Sequence, residues 1–124
     1  QNVLSCLDAE NRYLTTPSSV DFYPMQGSIE DHASNLPLAV TKCRQMVDNL
    51  RYLVGMEALF ASQAVDLRKS DDNGDYVHLG KGTQKAYDVL RAVVPEMKSN
   101  RSVYDDINKA YQIVLEEKFL ADGE

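Results

Sequence analysis

The sequence has 124 residues, of which 44% are hydrophobic and 26% are charged, a length that suits one compact domain and is too short for two. Its 13 Lys and Arg against 19 Asp and Glu give a net charge of −6, which disfavours binding to nucleic acid or to an anionic membrane. No apolar run approaches the ~20 residues of a membrane span, nothing after Gln1 resembles a signal peptide, and two cysteines make no disulfide framework. These features predict a cytoplasmic protein.

The first predicted element is the end of a helix over residues 1–14. Apolar residues at helical spacing begin at Val3 and Leu4, but no N-cap residue precedes them. The helix should end before Pro17, because the residue before a proline is biased out of the α region. A helix without a start signal is typical of the tail of a longer helix, so we expect this sequence to be a piece of a larger protein.

Residues 15–35 are predicted to form an irregular segment. Its central part, 17–28, contains two prolines, one glycine and three serines, a composition typical of an extended connection. The same part carries more large apolar side chains than a solvent-exposed loop needs, namely Val20, Phe22, Tyr23 and Met25. We therefore expect the segment to pack against other parts of the protein, as binding segments on rigid scaffolds do.

One long helix is predicted over residues 36–68. Ser34 or Asn35 can cap its N-terminus, and Pro37 lies where a missing N–H is tolerated. At ~1.5 Å per residue this helix is roughly 50 Å long. An average helix has only ~11–12 residues. Its central apolar stripe comprises Val40, Cys43, Val47, Leu50, Val54, Ala58, Ala61 and Val65. An apolar surface this wide is typical of the interior of a large bundle, and the remaining residues are too few to cover it.

Two shorter helices are predicted after the polar stretch 69–82. The first covers 83–94, with Thr83 as its cap and Pro95 as its stop. The second covers 103–120 and follows Ser102-Val103-Tyr104-Asp105, which resembles a capping box with Asp in place of Glu. No stretch alternates with period two, so the predicted fold class is all-α, with one helix of thirty-odd residues plus shorter helices in a single portion over 1–124.

Three short motifs do not meet the requirements of a ligand site. Gly80-Lys81-Gly82-Thr83 lacks the Ser or Thr that follows the lysine of a phosphate loop. The acidic turn 71–75 lacks the first ligand and the final Glu of a calcium loop. His32 and His78 have no His or Cys at metal-ligand spacing, so no metal site is predicted.

The candidate site is the ionisable cluster Glu30-Asp31-His32, which lies between the irregular segment and the long helix. Acidic side chains near a helix N-terminus are favoured by the helix dipole, by ~0.3–1 kcal/mol each, and need no function to explain them. The same three residues could instead form part of a binding or catalytic site. The residues alone leave both interpretations open.

Five short motifs follow one another in a fixed order along the first half of the sequence. They are Pro17-Ser18-Ser19-Val20-Asp21-Phe22-Tyr23-Pro24, Glu30-Asp31-His32-Ala33-Ser34, Asp48-Asn49-Leu50-Arg51, Glu57 and Gln63-Ala64-Val65-Asp66-Leu67-Arg68. Asp8-Ala9-Glu10-Asn11-Arg12 resembles a further short stretch that precedes them. In this order and spacing they resemble the C-terminal part of the histidine ammonia-lyase family, within the aromatic amino acid ammonia-lyases and aminomutases.

The resemblance implies an enzyme that eliminates ammonia with a methylidene-imidazolone group made from an internal Ala-Ser-Gly. It also implies a homotetramer with a central bundle of long helices and active sites shared between subunits. The tripeptide is absent here, since Ala33-Ser34 precedes Asn35 and Ala61-Ser62 precedes Gln63. We therefore expect these residues to be inactive alone and to need the remainder of a lyase chain, or a partner chain, as well as an amino-acid substrate.

Glu30 matches the glutamate that the family places in its active site, so the resemblance implies that it binds substrate or transfers a proton. A carboxylate suits a histidine substrate, because it can accept a hydrogen bond from the imidazole and stabilise its charged form. Glu30-Asp31-His32 therefore favours elimination from L-histidine to give urocanate. Ile29 replaces an amide residue of the family pattern and is the second candidate substrate-binding residue.

Two alternatives remain open at this point. The first is a tyrosine or phenylalanine ammonia-lyase or aminomutase, and the second is a non-catalytic helical subunit or domain, which Ile29 favours because it cannot form the hydrogen bonds of an amide. Other matched residues are interpreted as structural, through inter-helix polar contacts, caps and salt bridges. These are Asn49, Arg51, Glu57, Gln63, Asp66 and Arg68.

Overall fold

The structure, a computed structural model, describes residues 1–20, 26–29, 35–71 and 77–120. Its described residues form four α-helices and no strand. The helices are α1 (Asn2–Leu14), α2 (Leu36–Asp71), α3 (Lys81–Arg91) and α4 (Tyr104–Leu115), with short 3₁₀ turns at Ser18–Val20 and Gln26–Ser28. The predicted all-α class and the single very long helix are confirmed.

The end of α1 agrees with the position expected from Pro17. Thr15 and Thr16 close the last turn through their hydroxyls, which donate to the carbonyls of Arg12 and Tyr13 at 2.6 and 3.0 Å. These bonds satisfy carbonyl groups that a helix terminus leaves without partners. The other end of α1 carries no side-chain cap, as the sequence indicated.

The long helix α2 continues three residues beyond the predicted end at Arg68, to Asp71. Arg68 and Lys69 therefore lie in its last turn, where positive charge interacts favourably with the C-terminal end of the helix dipole.

The predicted bounds of α3 were wrong at both ends. The helix begins at Lys81, with Gly80 as the N-cap residue, and Thr83 lies inside the first turn instead of capping it. The Thr83 hydroxyl donates to the carbonyl of Gly80 at 2.9 Å. At the other end the helix stops at Arg91, three residues before the predicted end at Val94.

The predicted bounds of α4 were wrong as well, and the capping box is not formed. Ser102 accepts only a long bond, 3.4 Å, from the backbone N–H of Tyr104. The helix ends at Leu115 instead of residue 120 because Glu117 adopts a left-handed conformation, with φ 56°. The N–H groups of Glu117 and Lys118 then bond back to the carbonyls of Val114 and Ile113, which is the Schellman pattern of helix termination.

The packing of the chain divides into two units, Gln1–Leu50 and Arg51–Glu124. The second unit contains the apolar core, formed where α3 and α4 pack with the C-terminal half of α2. Its buried members are Leu90, Val94, Ala110 and Ile113, with Ala58, Leu59, Val89 and Phe119 packed around them. Tyr52 of α2 also stacks on Tyr111 of α4, with ring centroids 4.1 Å apart.

In the first unit, the described residues include no buried large apolar side chain, and the buried residue there is the polar Asn49. The N-terminal half of α2 leaves most of its large apolar side chains exposed, namely Leu36, Leu38, Val40, Val47 and Leu50. This agrees with the expectation that these residues cannot cover the apolar surface of the long helix.

Gly55 lies where α2 and α4 approach each other closely in the second unit. A Cβ atom at this position would lie 3.1 Å from the carbonyl carbon of Ala110 and 3.1 Å from the backbone nitrogen of Tyr111. Backbone atoms inside a helix cannot move aside as the end of a flexible side chain can. The two helices therefore pack at this distance only because residue 55 has no side chain.

We expect Gly55→Ala to lower the free energy of unfolding by about 1–3 kcal/mol through this overpacking. Gly82→Ala is the matched control, because a Cβ there meets nothing within 4 Å and Gly82 lies within α3. The control should leave stability unchanged or raise it by up to ~1 kcal/mol, since Ala is the better helix former. Urea unfolding of both variants measures the difference, and equal midpoints would contradict the close approach at Gly55.

Candidate functional site

The cluster expected to form the site lies outside the described residues. Glu30, Asp31 and His32 all belong to the range 30–34, which the structure does not describe. Ile29, the other candidate substrate-binding residue, is described.

Ile29 follows a tight turn with an unusual backbone. Gln26 and Gly27 both have left-handed conformations, with φ of 48° and 62°, and the N–H of Ile29 donates to the carbonyl of Gln26 at 3.3 Å. Left-handed backbone is readily adopted by glycine and costs a non-glycine residue about 1 kcal/mol or more. The turn presents the Ile29 side chain 84% exposed, so it offers an accessible apolar surface directly before Glu30 in the chain.

Two hydrogen bonds connect the chain before the candidate cluster to the chain after it. The side-chain amide of Asn35 donates to the carbonyl of Ser18 at 2.8 Å, across 17 residues of sequence. The ammonium group of Lys42, on the second turn of α2, donates to the carbonyl of Thr16. Both bonds join α2 to the backbone that follows α1.

A third polar connection of the same kind lies further along α2. The amide of Asn49 donates to the side-chain oxygen of Asn11 on α1 at 3.0 Å, and Gln45 donates to the Asn49 oxygen at 3.0 Å. Asn49 is only 3% exposed. A buried amide needs hydrogen-bond partners, because a buried polar group without one destabilises the protein by ~1–3 kcal/mol. The prediction that Asn49 makes an inter-helix polar contact is confirmed.

Sequence reasoning missed the contacts of Asn35 and Lys42. From its position before the long helix, Asn35 is predicted only as a possible cap, and no contact is predicted for Lys42. The available signal was their spacing: Asn35, Lys42 and Asn49 recur every seven residues, which places them on one face of a helix.

In the second unit, Asp66 and Gln63 of α2 have structural partners, in agreement with their interpretation from the sequence. Asp66 forms an ion pair with Arg91 of α3, with 2.5 Å between Oδ2 and Nη2, and accepts a hydrogen bond from the phenol of Tyr87. Gln63 pairs with the backbone of Met97, donating to its carbonyl at 3.3 Å and accepting from its N–H at 2.9 Å. Beyond the ion-pair contact itself, Oδ2 of Asp66 and Nε and Nη2 of Arg91 are buried and make no hydrogen bond within the described residues.

In the described part of the chain, the His, Cys, Asp and Glu side chains include no group of three or more that could hold a metal ion. None of its helices combines the length and the apolar character required to cross a membrane.

A family model for aromatic amino acid lyases matches residues 1–92. This match includes α1, the candidate cluster, the whole of α2 and all of α3. The chain therefore belongs to the aromatic amino acid lyase family, and the resemblance found from its short motifs is confirmed.

Individual relatives are similar over nearly the whole chain. It is 34% identical to histidine ammonia-lyase of Alkaliphilus metalliredigens over 124 residues and 38% identical to that of Stigmatella aurantiaca over 103, covering 100% and 83% of this chain. Among solved structures, the ergothioneine-degrading enzyme ergothionase of Treponema denticola, in complex with desmethyl-ergothioneine sulfonic acid, is 47% identical with a TM-score of 0.82 over 94% of this chain. The chain spans 23%, 19% and 22% of the lengths of these three proteins, about a fifth in each case.

The ion pair between Asp66 and Arg91 yields a stability prediction. Both side chains are largely buried, at 7% and 14% exposed, so Asp66→Asn leaves an uncompensated guanidinium in the interior. We expect the free energy of unfolding to fall by about 3–5 kcal/mol, measured by urea unfolding. Asp8→Asn, which removes a solvent-exposed ion pair with Arg12, is the control and should change it by less than ~1 kcal/mol. Equal effects of the two substitutions would show that the buried pair is not needed.

Proposed function

We propose that this chain is the C-terminal portion of a lyase that eliminates an amine from an α-amino acid carrying an imidazole ring, and that it contributes Glu30 to the active site. The observation that carries the proposal is the family match over residues 1–92, which includes Glu30. Two observations support an imidazole substrate. The relatives compared above are named histidine ammonia-lyases and ergothionase, and a carboxylate at position 30 suits a ring that carries N–H donors.

The proposed reaction breaks two bonds and forms one. The bond between Cα and the amino nitrogen breaks, a proton leaves Cβ to a base, and a double bond forms between Cα and Cβ. With L-histidine the products are ammonia and urocanate. The Cβ proton is weakly acidic, so the reaction needs a means of stabilising the developing charge.

In this scheme Glu30 acts on the ring of the substrate. Its carboxylate accepts a hydrogen bond from an imidazole N–H, which fixes the orientation of the ring and favours its positively charged form. The attraction between the carboxylate and a positively charged ring is stronger in a site from which water is excluded. Removal of the carboxylate therefore affects both binding and turnover.

The family uses a methylidene-imidazolone group, and these residues cannot provide it because they contain no Ala-Ser-Gly. We propose that the tripeptide lies in the remainder of the lyase chain or in a partner chain. When present, the group supplies an electrophilic carbon that activates the substrate for loss of the amine. The contribution of this chain is to bind and orient the substrate, and these residues alone are expected to be inactive.

A second substrate is favoured by a specific observation. Identity is 47% with ergothionase but 34% and 38% with the two histidine ammonia-lyases. Ergothioneine is a histidine derivative with a trimethylammonium group and a sulfur on the imidazole carbon. A trimethylammonium presents methyl groups and no N–H, so an apolar neighbour such as the exposed Ile29 leaves none of its donors without a partner, as it would for a primary ammonium. The proposed class therefore includes both histidine and its trimethylated, sulfur-bearing derivative.

A single assay tests this proposal with the full-length protein. Purified enzyme is incubated with L-histidine, ergothioneine, tyrosine or phenylalanine, and the conjugated acrylate product is followed by its ultraviolet absorbance. We expect turnover of an imidazole substrate and a loss of about 10²-fold or more in kcat for Glu30→Ala, because the ring loses the group that orients it. Glu116→Ala, which removes an exposed carboxylate at the end of α4, should leave kcat unchanged.

The possible outcomes separate the alternatives. Full activity of Glu30→Ala would show that Glu30 is structural. Turnover of tyrosine or phenylalanine alone would identify the other amino-acid lyases as the correct class. A folded protein without activity on any of the four, from a gene that lacks Ala-Ser-Gly, would show a non-catalytic helical subunit.

We further propose that the exposed apolar face of α2 is covered by the remainder of the lyase and by other copies of it, in a homotetramer with a bundle of long helices at its centre. The support is the set of large apolar side chains that the described residues leave exposed along α2, from Leu36 to Leu67. Exposed apolar patches of this extent mark interfaces in soluble proteins.

The 124-residue chain on its own is therefore expected to self-associate. Sedimentation velocity should show species larger than a monomer, and Val47→Glu combined with Leu50→Glu should shift the distribution toward the monomer, because both side chains are exposed apolar residues of α2. A clean monomer for the unchanged chain would contradict the proposed bundle.

A further inference from the structure

We propose that the C-terminal half of α2 pairs antiparallel with the same half of α2 in a second copy of this chain, with Glu57 of each copy against Arg68 of the other. This inference rests on the proposed function, because it specifies one contact of the proposed homotetramer. It adds the partner and the register of that contact, which exposed apolar side chains alone do not define.

The pairing surface is the outer face of α2 within the second unit. The inner side of the helix is occupied, since Ser62 and Asp66 are buried and Leu59 packs on the apolar core. The other side is exposed along the helix at steps of three and four residues, which makes it one continuous stripe. This outer face consists of Glu57, Phe60, Ala61, Ala64, Leu67 and Arg68.

The outer face carries more apolar surface than solvent exposure favours. Phe60 is 58% exposed and Leu67 is 56% exposed, although both belong to a helix whose inner side is packed. An exposed apolar stripe on a long helix is typical of a surface that pairs with another helix.

The two charges of the outer face are arranged symmetrically. Glu57 precedes Ala61 by four residues, and Arg68 follows Ala64 by four residues. A two-fold axis midway between the two alanines therefore places Glu57 of one copy opposite Arg68 of the other, and the same pair forms a second time on the far side of the axis. The face is complementary to itself in charge, which is the property that a symmetric contact between two copies requires.

The side chains near the proposed axis suit a close approach of the two helices. Ala61 of one copy lies opposite Ala64 of the other, and small residues at a contact allow a short interaxial distance within the usual ~8–10 Å. Phe60 then falls beside Ala64 of the second copy, so a large side chain packs against a small one. The pairing thus removes the most exposed aromatic ring of the outer face from water.

Other arrangements of the same two helices are less favourable. Parallel pairing in register places Glu57 against Glu57 and Arg68 against Arg68, and like charges oppose association. An antiparallel shift by seven residues sets Glu57 against Ala61 in one direction, or Arg68 against Ala64 in the other. Either shift desolvates a charge without an opposite charge beside it. The charges therefore select one direction and one register.

A zero-length cross-link in the full-length protein tests the register. Arg68→Lys keeps the positive charge and supplies an amine, which a carbodiimide joins to an adjacent carboxylate as an amide, with loss of water. Positions 57 and 68 of one helix lie about 16 Å apart along its axis, so an amide between them forms only between two copies.

We expect Arg68→Lys to yield a covalent dimer on a denaturing gel, and a cross-linked peptide joining Glu57 to position 68 in its mass spectrum. The matched control is Arg68→Lys combined with Glu57→Gln. It removes the carboxylate at nearly constant shape, so that peptide should disappear.

Charge reversal tests whether the pair contributes to association. Glu57→Arg places two arginines together at each end of the contact, so the dissociation constant of the oligomer should rise roughly tenfold or more. Adding Arg68→Glu restores opposite charges and should return it close to the original value. Glu10→Arg makes the same change of charge at an exposed position of α1 and should have no effect. Sedimentation equilibrium over a dilution series measures all four proteins.

The outcomes separate this inference from the proposed function. An oligomer that gives no peptide joining positions 57 and 68, or a double reversal that does not recover association, overturns the pairing and leaves the homotetramer standing, with the outer face covered by the remainder of the lyase. A full-length protein that sediments as a monomer overturns the assembly and the pairing together. Neither measurement depends on turnover, so a failure of the proposed activity does not affect the pairing.

Discussion

The burial of α2 is the constraint on which this structure depends. The C-terminal half of the helix is packed within its unit by α3 and α4, whose core includes Leu90 and Ile113. The N-terminal half contacts α1 through polar groups and leaves apolar side chains exposed. Full burial of one Val or Leu side chain contributes ~1.5–3 kcal/mol to the free energy of unfolding. Burial of the exposed apolar side chains of α2 would therefore add a large stabilisation that these 124 residues do not provide. A stable lyase must provide the missing cover elsewhere.

Much of the helical architecture could be predicted from the sequence, because a long 3.6-residue period and flanking prolines are strong local signals. The ends of helices were less predictable. Helix α4 stops at Leu115 because Glu117 adopts a left-handed conformation. The residue in this conformation after a helix is usually Gly or Asn, so a Glu gives no sequence signal for the helix end. Thr83 has the side chain of a cap, yet Gly80 occupies that position and the hydroxyl bonds to its carbonyl. Such choices depend on packing, which local patterns do not contain.

The candidate site was predictable only in part, for a similar reason. The motif around Glu30 is local in sequence and could be recognised, whereas the donors that connect its flanks are far from their acceptors along the chain. Asn35 is a residue type preferred at helix N-caps. Nothing in the neighbouring residues indicates that its side-chain amide bonds to Ser18. The proposed substrate pocket needs residues beyond these 124, so its shape could not follow from this sequence at all.

The pairing of Gln63 with Met97 has a consequence for which substitutions this chain can accept at the two positions. The glutamine side chain bonds both polar groups of the Met97 backbone and makes no use of what the methionine side chain offers. Any residue except proline supplies the same N–H and carbonyl, so substitutions at position 97 leave these two hydrogen bonds possible. Position 63 has no such freedom, because only an amide side chain of that length both donates and accepts there.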